Sequence, residues 1–132
     1  MIDSNEVERR RFKRAKVNFI VVYQVEEPIA LRMKMGVDKE IFAIMLDLGE
    51  DGMSLLTNYD IPPEATLSTK FTLIDSSGLS KEFIKIDALG RIVYNLPLER
   101  FEHRLGIQFI RIEKEDRLKI HNFVEISLLG KN

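Results

Sequence analysis

The chain has 132 residues, 45% hydrophobic and 31% charged, and its 20 basic and 21 acidic side chains leave a formal net charge of −1. A chain of this length makes one domain that buries roughly two thirds of the surface exposed when unfolded, and the composition excludes a wholly disordered protein. With no cysteine there is no disulfide framework, thiol nucleophile or cysteine-based zinc site. A near-neutral total charge argues against a general nucleic-acid binder, whose basic surface normally dominates its charge.

The N-terminus, MIDSNEVERRRF, is polar where a signal peptide needs an apolar stretch, and no later run reaches the length of a membrane span, so the expected location is the cytoplasm. Positive charge is instead concentrated locally: ERRRFKRAK, residues 8–16, carries six cations in nine positions. Three uses of such a cluster are open, namely a nucleic-acid arm, a membrane-surface patch and a clamp for a compact anion.

Next, KVNFIVVYQV places Val17, Phe19, Val21, Tyr23 and Val25 on one face and predicts a first strand. EEPIALRMKMGVDKE, punctuated by Pro28 and Gly36, shows no clear period and reads as a long connection or an irregular edge. IFAIMLDL is a second strand, nearly all apolar, as if covered on both faces. GEDG, residues 49–52, is a tight turn leading into a short third strand, MSLLTN, so the two strands form a hairpin. Pro62 and Pro63 end that strand. LSTKFTLID alternates Leu67, Thr69, Phe71 and Leu73 as a fourth strand, and SSGLS turns the chain. KEFIKIDALGRIVYNL alternates Ile84, Ile86 and Ala88, with Gly90 marking a bulge or bend, and HRLGIQFIRI is the sixth strand. Only in EKEDRLKIHNFVEISLLG does the period change. Ile120, Phe123, Val124 and Leu128 make a helical stripe, acidic residues fill the first turn and Gly130 caps the end.

These elements predict an all-β fold with one helix: a small six-stranded antiparallel β-barrel closed or flanked by a C-terminal α-helix. The expected division of this single domain is a basic arm over 1–15, the barrel over 16–112 and the helix over 113–129. His103 and His121 lack a metal-ligand pattern, Glu113, Glu115 and Asp116 read as a helix start, and Ser54, Ser76 and Ser77 have no His and Asp arrangement. The sequence therefore predicts no metal, no cofactor and no enzyme. Arg91, after Gly90, either faces a ligand or pairs with an acid.

RRRFKR, then DLGEDGMSL, IPPEATLSTKFTL, GRIVY and RLGIQFIRIEKEDRLKIHNFV, together resemble a PilZ domain, the bacterial receptor module for cyclic di-GMP, over Glu8 to Leu129. The resemblance implies two binding motifs. Arg-x-x-x-Arg is met by Arg10 and Arg14, and Asp/Asn-x-Ser-x-x-Gly by Asp47 and Gly52, with Gly49 where the family has Ser. It further implies that an arginine just before the first motif, here Arg9, favours an intercalated pair of nucleotides, hence two per chain.

The chemistry fits independently of the family. Cyclic di-GMP carries two phosphodiester charges and two guanines, and an arginine can fork onto a phosphate or a guanine edge while its flat face stacks on a purine. Residues four apart in an extended segment point the same way, so Arg10 and Arg14 can grip one ligand. Asp47 suits the N–H donors of guanine's Watson–Crick edge, and Gly52 allows positive φ and close backbone approach. Replacing Gly49 with Ser is expected to be neutral or to tighten binding unless Gly49 has a positive φ.

The expected ligand is thus cyclic di-GMP, with an unnamed downstream protein partner reached by ordering of the arm at residues 8–16. Motility, exopolysaccharide synthesis and transcription are all compatible with the family. Two other readings stay open: a PilZ-type protein adaptor that has lost nucleotide binding, and a small barrel with a nucleic-acid arm. The arm and third strand offer few aromatics for stacking, which weighs against the last.

Overall fold

The computed structural model describes residues 12–75 and 80–130. Among these, six antiparallel strands form: β1 (Arg14–Glu27), β2 (Ile41–Gly49), β3 (Gly52–Thr57), β4 (Thr66–Asp75), β5 (Glu82–Pro97) and β6 (His103–Ile112). They close into a barrel in the order β1-β2-β3-β6-β5-β4, with β1 pairing both β2 and β4. Closure pairs every strand on both sides and so removes open edges. Two helices join them, α1 (Ile29–Met35) between β1 and β2, and α2 (Lys114–Leu129) after β6.

The period-two pattern determines which side chains fill the barrel. Val21, Tyr23, Met45, Met53, Leu55, Leu67, Leu73, Ile86, Ile92, Leu105 and Ile107 all point inward and are buried. The stripe on α2 buries Ile120 and Val124 and sets the Phe123 ring 5.6 Å from that of Phe19, so the helix lies against β1, β2 and β4. Polar groups inside are paired: the hydroxyls of Tyr23 and Thr57 are 2.8 Å apart, and Thr69 donates to the Ala88 carbonyl at 2.9 Å. No helix among the described residues is long and apolar enough to cross a membrane.

Three expectations change. The segment read as a connection holds α1, which turns Leu31 and Met35 toward the core and leaves Ile29 and Met33 exposed. A seven-residue helix is too short to display a period. β2 is not covered on both faces, since Phe42 is 72% and Ile44 40% exposed on the outside of a single-layered wall. Finally, β1 begins at Arg14, paired with Gly49, and Ala15 is fully buried, so the last residues assigned to the arm already belong to the sheet. The inward series of Val17 and Phe19 continues back to an alanine, whose small side chain hides the alternation.

The Tyr23–Thr57 pair gives a test. Burial pushes the Tyr23 hydroxyl from 10.0 up to about 12, against the opposing pull of its hydrogen bond to Thr57. A group whose pKa is raised by folding supports the fold fully below its unfolded value and loses that support as pH rises through the folded one. Stability should therefore hold up to about pH 10 and decline toward about pH 12, and Tyr23→Phe should remove that decline. At neutral pH the same substitution should cost about 1 kcal/mol, the scale of one neutral hydrogen bond. Urea unfolding of both proteins across this pH range measures both effects.

Candidate functional site

Strict alternation along β2 would turn Asp47 inward, two residues after the buried Met45. A register shift between Met45 and Asp47 in the β2–β3 pairing changes the phase, so that Leu48 takes the core position and Asp47 comes to the outer face. A second shift, between Lys16 and Phe19, accommodates it in the β1–β2 pairing.

On the outer face the register forms two cross-strand rows. One runs Lys16, Asp47, Ser54, Gly106, Tyr94 across β1, β2, β3, β6 and β5. The other, nearer the β2–β3 hairpin, runs Arg14, Gly49, Gly52, Gln108, Arg91, Thr66 and reaches β4.

Asp47, only 6% exposed, has a guanidinium on each oxygen. Arg14 Nη1 donates to Oδ1 at 3.0 Å, and Arg104 Nη2 donates to Oδ2 at 3.1 Å. Each arginine also reaches a second acceptor. Arg14 Nη2 meets Asp51 Oδ2 in the hairpin turn at 3.4 Å, and Arg104 Nη2 meets the buried Ser54 hydroxyl at 3.3 Å. Charge is thus matched locally, with two guanidiniums against two carboxylates.

Hydrogen-bonding capacity is not matched. Among the described residues, the buried side-chain atoms without a partner are Arg14 Nε, Asp51 Oδ1, Thr66 Oγ1, Tyr94 OH and Arg104 Nε. Arg14, Thr66 and Tyr94 lie on the two rows, while Asp51 and Arg104 contact row residues directly. A buried polar group without a partner is costly. Arg14 and Arg104 contact Asp47, and Asp51 contacts Arg14, so three of these groups stand together, whereas Thr66 is on β4, three strands beyond Gly52.

The glycines act sterically. A Cβ on Gly52 would stand 2.0 Å from the Ile107 carbonyl oxygen, so β3 and β6 approach each other only because no side chain intervenes. It does not use the positive φ that glycine allows; among the described glycines only Gly36, with φ 106°, has one. Gly49 likewise has no positive φ, yet a Cβ there would sit 2.7 Å from the Lys13 carbonyl oxygen and 2.9 Å from Asp51 Oδ1. This glycine lets the chain entering β1 lie against the hairpin. Gly106 serves the row of Asp47 and Ser54, where the Tyr94 ring occupies the space its side chain would take.

Arg14, Asp47, Gly49 and Gly52 therefore meet at one corner of the barrel, and Arg91 lies on the same row, two strands beyond Gly52. Arg9 and Arg10 lie outside the described residues. Sequence reasoning missed Arg104, Ser54, Asp51 and Tyr94. Arg104 and Tyr94 are far from Asp47 in the chain, and only the β3–β6 and β6–β5 pairings bring them near; Asp51 was in view but read as turn chemistry.

The histidines sit in polar contacts. His103 Nδ1 is 2.9 Å from Asn95 Oδ1, and His121 Nδ1 is 3.0 Å from Glu50 Oε2, which ties α2 to the hairpin. No metal-type cluster occurs among the described residues.

The steric role of the glycines sets an expectation. Gly49→Ala should destabilise the unliganded chain by roughly 1–3 kcal/mol, the usual cost of overpacking, because a backbone carbonyl must give way, and Gly49→Ser should do the same. Gly52→Ala, with the tighter contact, should cost more. Urea midpoints give the order, and a neutral Gly49→Ala would show that the Lys13 carbonyl does not press on the hairpin.

The PilZ domain family model matches residues 8–125. A comparison with curated proteins finds no match. Among solved structures, the inhibitor of motility MotI/DgrA of Bacillus subtilis superposes with a TM-score of 0.72 at 13% identity, over 94% of this chain and 53% of its own. The PilZ domain of YcgR from Escherichia coli with c-di-GMP gives 0.57 at 11% identity, over 92% of this chain and 93% of its own. The K. pneumonia MrkH–c-di-GMP complex gives 0.61 at 17% identity, over 92% of this chain and 52% of its own. The chain spans about half the length of MotI/DgrA and MrkH. At these identities the superpositions speak for the fold, and the family model covers nearly the whole chain: it belongs to the PilZ domain family.

Proposed function

We propose that the chain is a receptor for cyclic di-GMP and that the nucleotide lies over the corner where Arg14, Asp47 and the β2–β3 hairpin meet. The observation carrying this reading is the concentration of unspent polar atoms there, two Nε–H donors among them, around a carboxylate on the outer face. YcgR and MrkH, of the same fold, were solved with c-di-GMP.

In this reading Asp47 accepts the N–H donors of a guanine's Watson–Crick edge. The arginines are already balanced by Asp47 and Asp51, so two phosphodiester charges call for further cations. Arg10 and Arg9 supply them from the arm, Arg10 with Arg14 on one nucleotide and Arg9 toward a second. Arg91 borders the site from β5. Ordering of the arm then changes the surface presented to a partner protein. A second reading, an adaptor without nucleotide, draws on Gly49: the place of the family's Ser is closed off by the Lys13 carbonyl.

Calorimetric titration with cyclic di-GMP separates the two. Binding is expected, with two nucleotides per chain, falling toward one for Arg9→Ala. Arg10→Ala and Arg14→Ala should each weaken it by roughly 1.5–3 kcal/mol, the scale of a hydrogen bond to a charged group. Arg14→Ala should also lower the melting temperature of the unliganded chain, because it leaves Asp47 with Arg104 alone. Heat from cyclic di-GMP that both arginine variants leave unchanged would place the site elsewhere, and no heat at all would favour the adaptor.

A further inference from the structure

We infer that Arg104 is a positioning residue for base recognition: it holds Asp47 charged and outward so that Arg14 can leave the carboxylate for the ligand. This rests on the receptor reading above. A carboxylate as buried as Asp47 cannot lose its only cation without a large desolvation penalty. Were Arg14 its sole partner, the arginine that binds a phosphate and the carboxylate that binds a guanine could not both be free.

The two guanidiniums on Asp47 are held differently. Arg14 is the first residue of β1, where the chain passes into the arm. At Arg14 the backbone is paired with β2 alone, since β1 meets β4 only from Val21 onward. Arg104, the second residue of β6, is paired on both sides, with Leu56 on β3 and Leu96 on β5, and its Nη2 reaches the fully buried Ser54 hydroxyl at 3.3 Å as well as Asp47 Oδ2 at 3.1 Å. One guanidinium is thus carried by backbone paired on one side and the other by backbone paired on both, and the exchangeable one is Arg14.

The oxygens have capacity for this. Each carboxylate oxygen has two lone pairs, so with Arg104 kept on Oδ2 the carboxylate still accepts a pair of N–H donors side by side. Guanine offers such a pair, N1–H and the 2-amino group; hypoxanthine has only the first. Selectivity between these bases therefore reads the placement of Asp47, which a general loss of charge would not alter.

The experiment titrates cyclic di-GMP and its hypoxanthine counterpart, cyclic di-IMP, into the unaltered chain, Arg104→Met, Arg104→Lys, Asp47→Asn and the Arg104→Met/Asp47→Asn double variant, with melting curves for each. Arg104→Met is expected to weaken cyclic di-GMP binding about tenfold or more and to narrow the preference for guanine over hypoxanthine. Arg104→Lys, which keeps the charge, should recover part of both, and its measurement stands if the methionine variant does not fold. In the Asp47→Asn background Arg104→Met should change affinity by less than about twofold, because a residue acting through Asp47 has nothing further to lose. Unchanged affinity and selectivity in Arg104→Met would overturn the inference while leaving the receptor reading intact. Equal losses for both nucleotides, repeated in full in the Asp47→Asn background, would overturn it in favour of a direct phosphate contact. Absence of binding by the unaltered chain would overturn the receptor reading and the inference together.

Discussion

A carboxylate almost wholly withdrawn from water has to be compensated where it stands, and in this chain Asp47 is compensated from two directions at once. The need couples the start of β1 to the start of β6 across two intervening strands. It also accounts for local features that would otherwise look unrelated. The slip in β2 brings the carboxylate out, the bare Gly49 lets Arg14 approach it, and the β3–β6 pairing, with Arg104 opposite Leu56, brings the second guanidinium within reach.

Much of the fold was legible because a barrel wall writes itself into sequence as alternation. The fourth strand is the plainest case: Leu67, Thr69, Phe71 and Leu73 are all buried as their spacing implies. The stripe on α2 was readable for the same reason at the other period. What escaped were places where periodicity had too little length or contrast. α1 is barely two turns, and an apolar outer face on β2 looks in sequence like an inner one.

The candidate site was legible only on one side. Arg14, Asp47, Gly49 and Gly52 lie in two short stretches with recognisable spacing, and the β1–β2 pairing brings them together. Arg104 belongs to HRLG, an ordinary run of strand residues, and nothing within it points to Asp47. Its importance is topological, arising because β6 inserts between β3 and β5 in the closed order. Gly49 stands out in sequence as the place of the family's Ser, and Gly52 as a residue that allows positive φ and close backbone approach. Their value lies in the absent side chain and not in backbone freedom, since neither Gly49 nor Gly52 has a positive φ.

The phase slip in β2 has a consequence for how this stretch tolerates insertions and deletions. Asp47 faces outward although it lies two residues after the inward Met45, because the intervening Leu46 is taken up as a bulge against β3. Deleting Leu46 would bring Asp47 next to Met45, where regular pleating by itself turns the carboxylate out and Leu48 in. The β2–β3 ladder would lose its irregularity. The β1–β2 ladder would be worsened, because Lys16 and Phe19 already span one residue more than the Asp47 and Met45 they face, and the deletion would widen that excess to two. Chain length in β2 is therefore set by β1 as much as by β3.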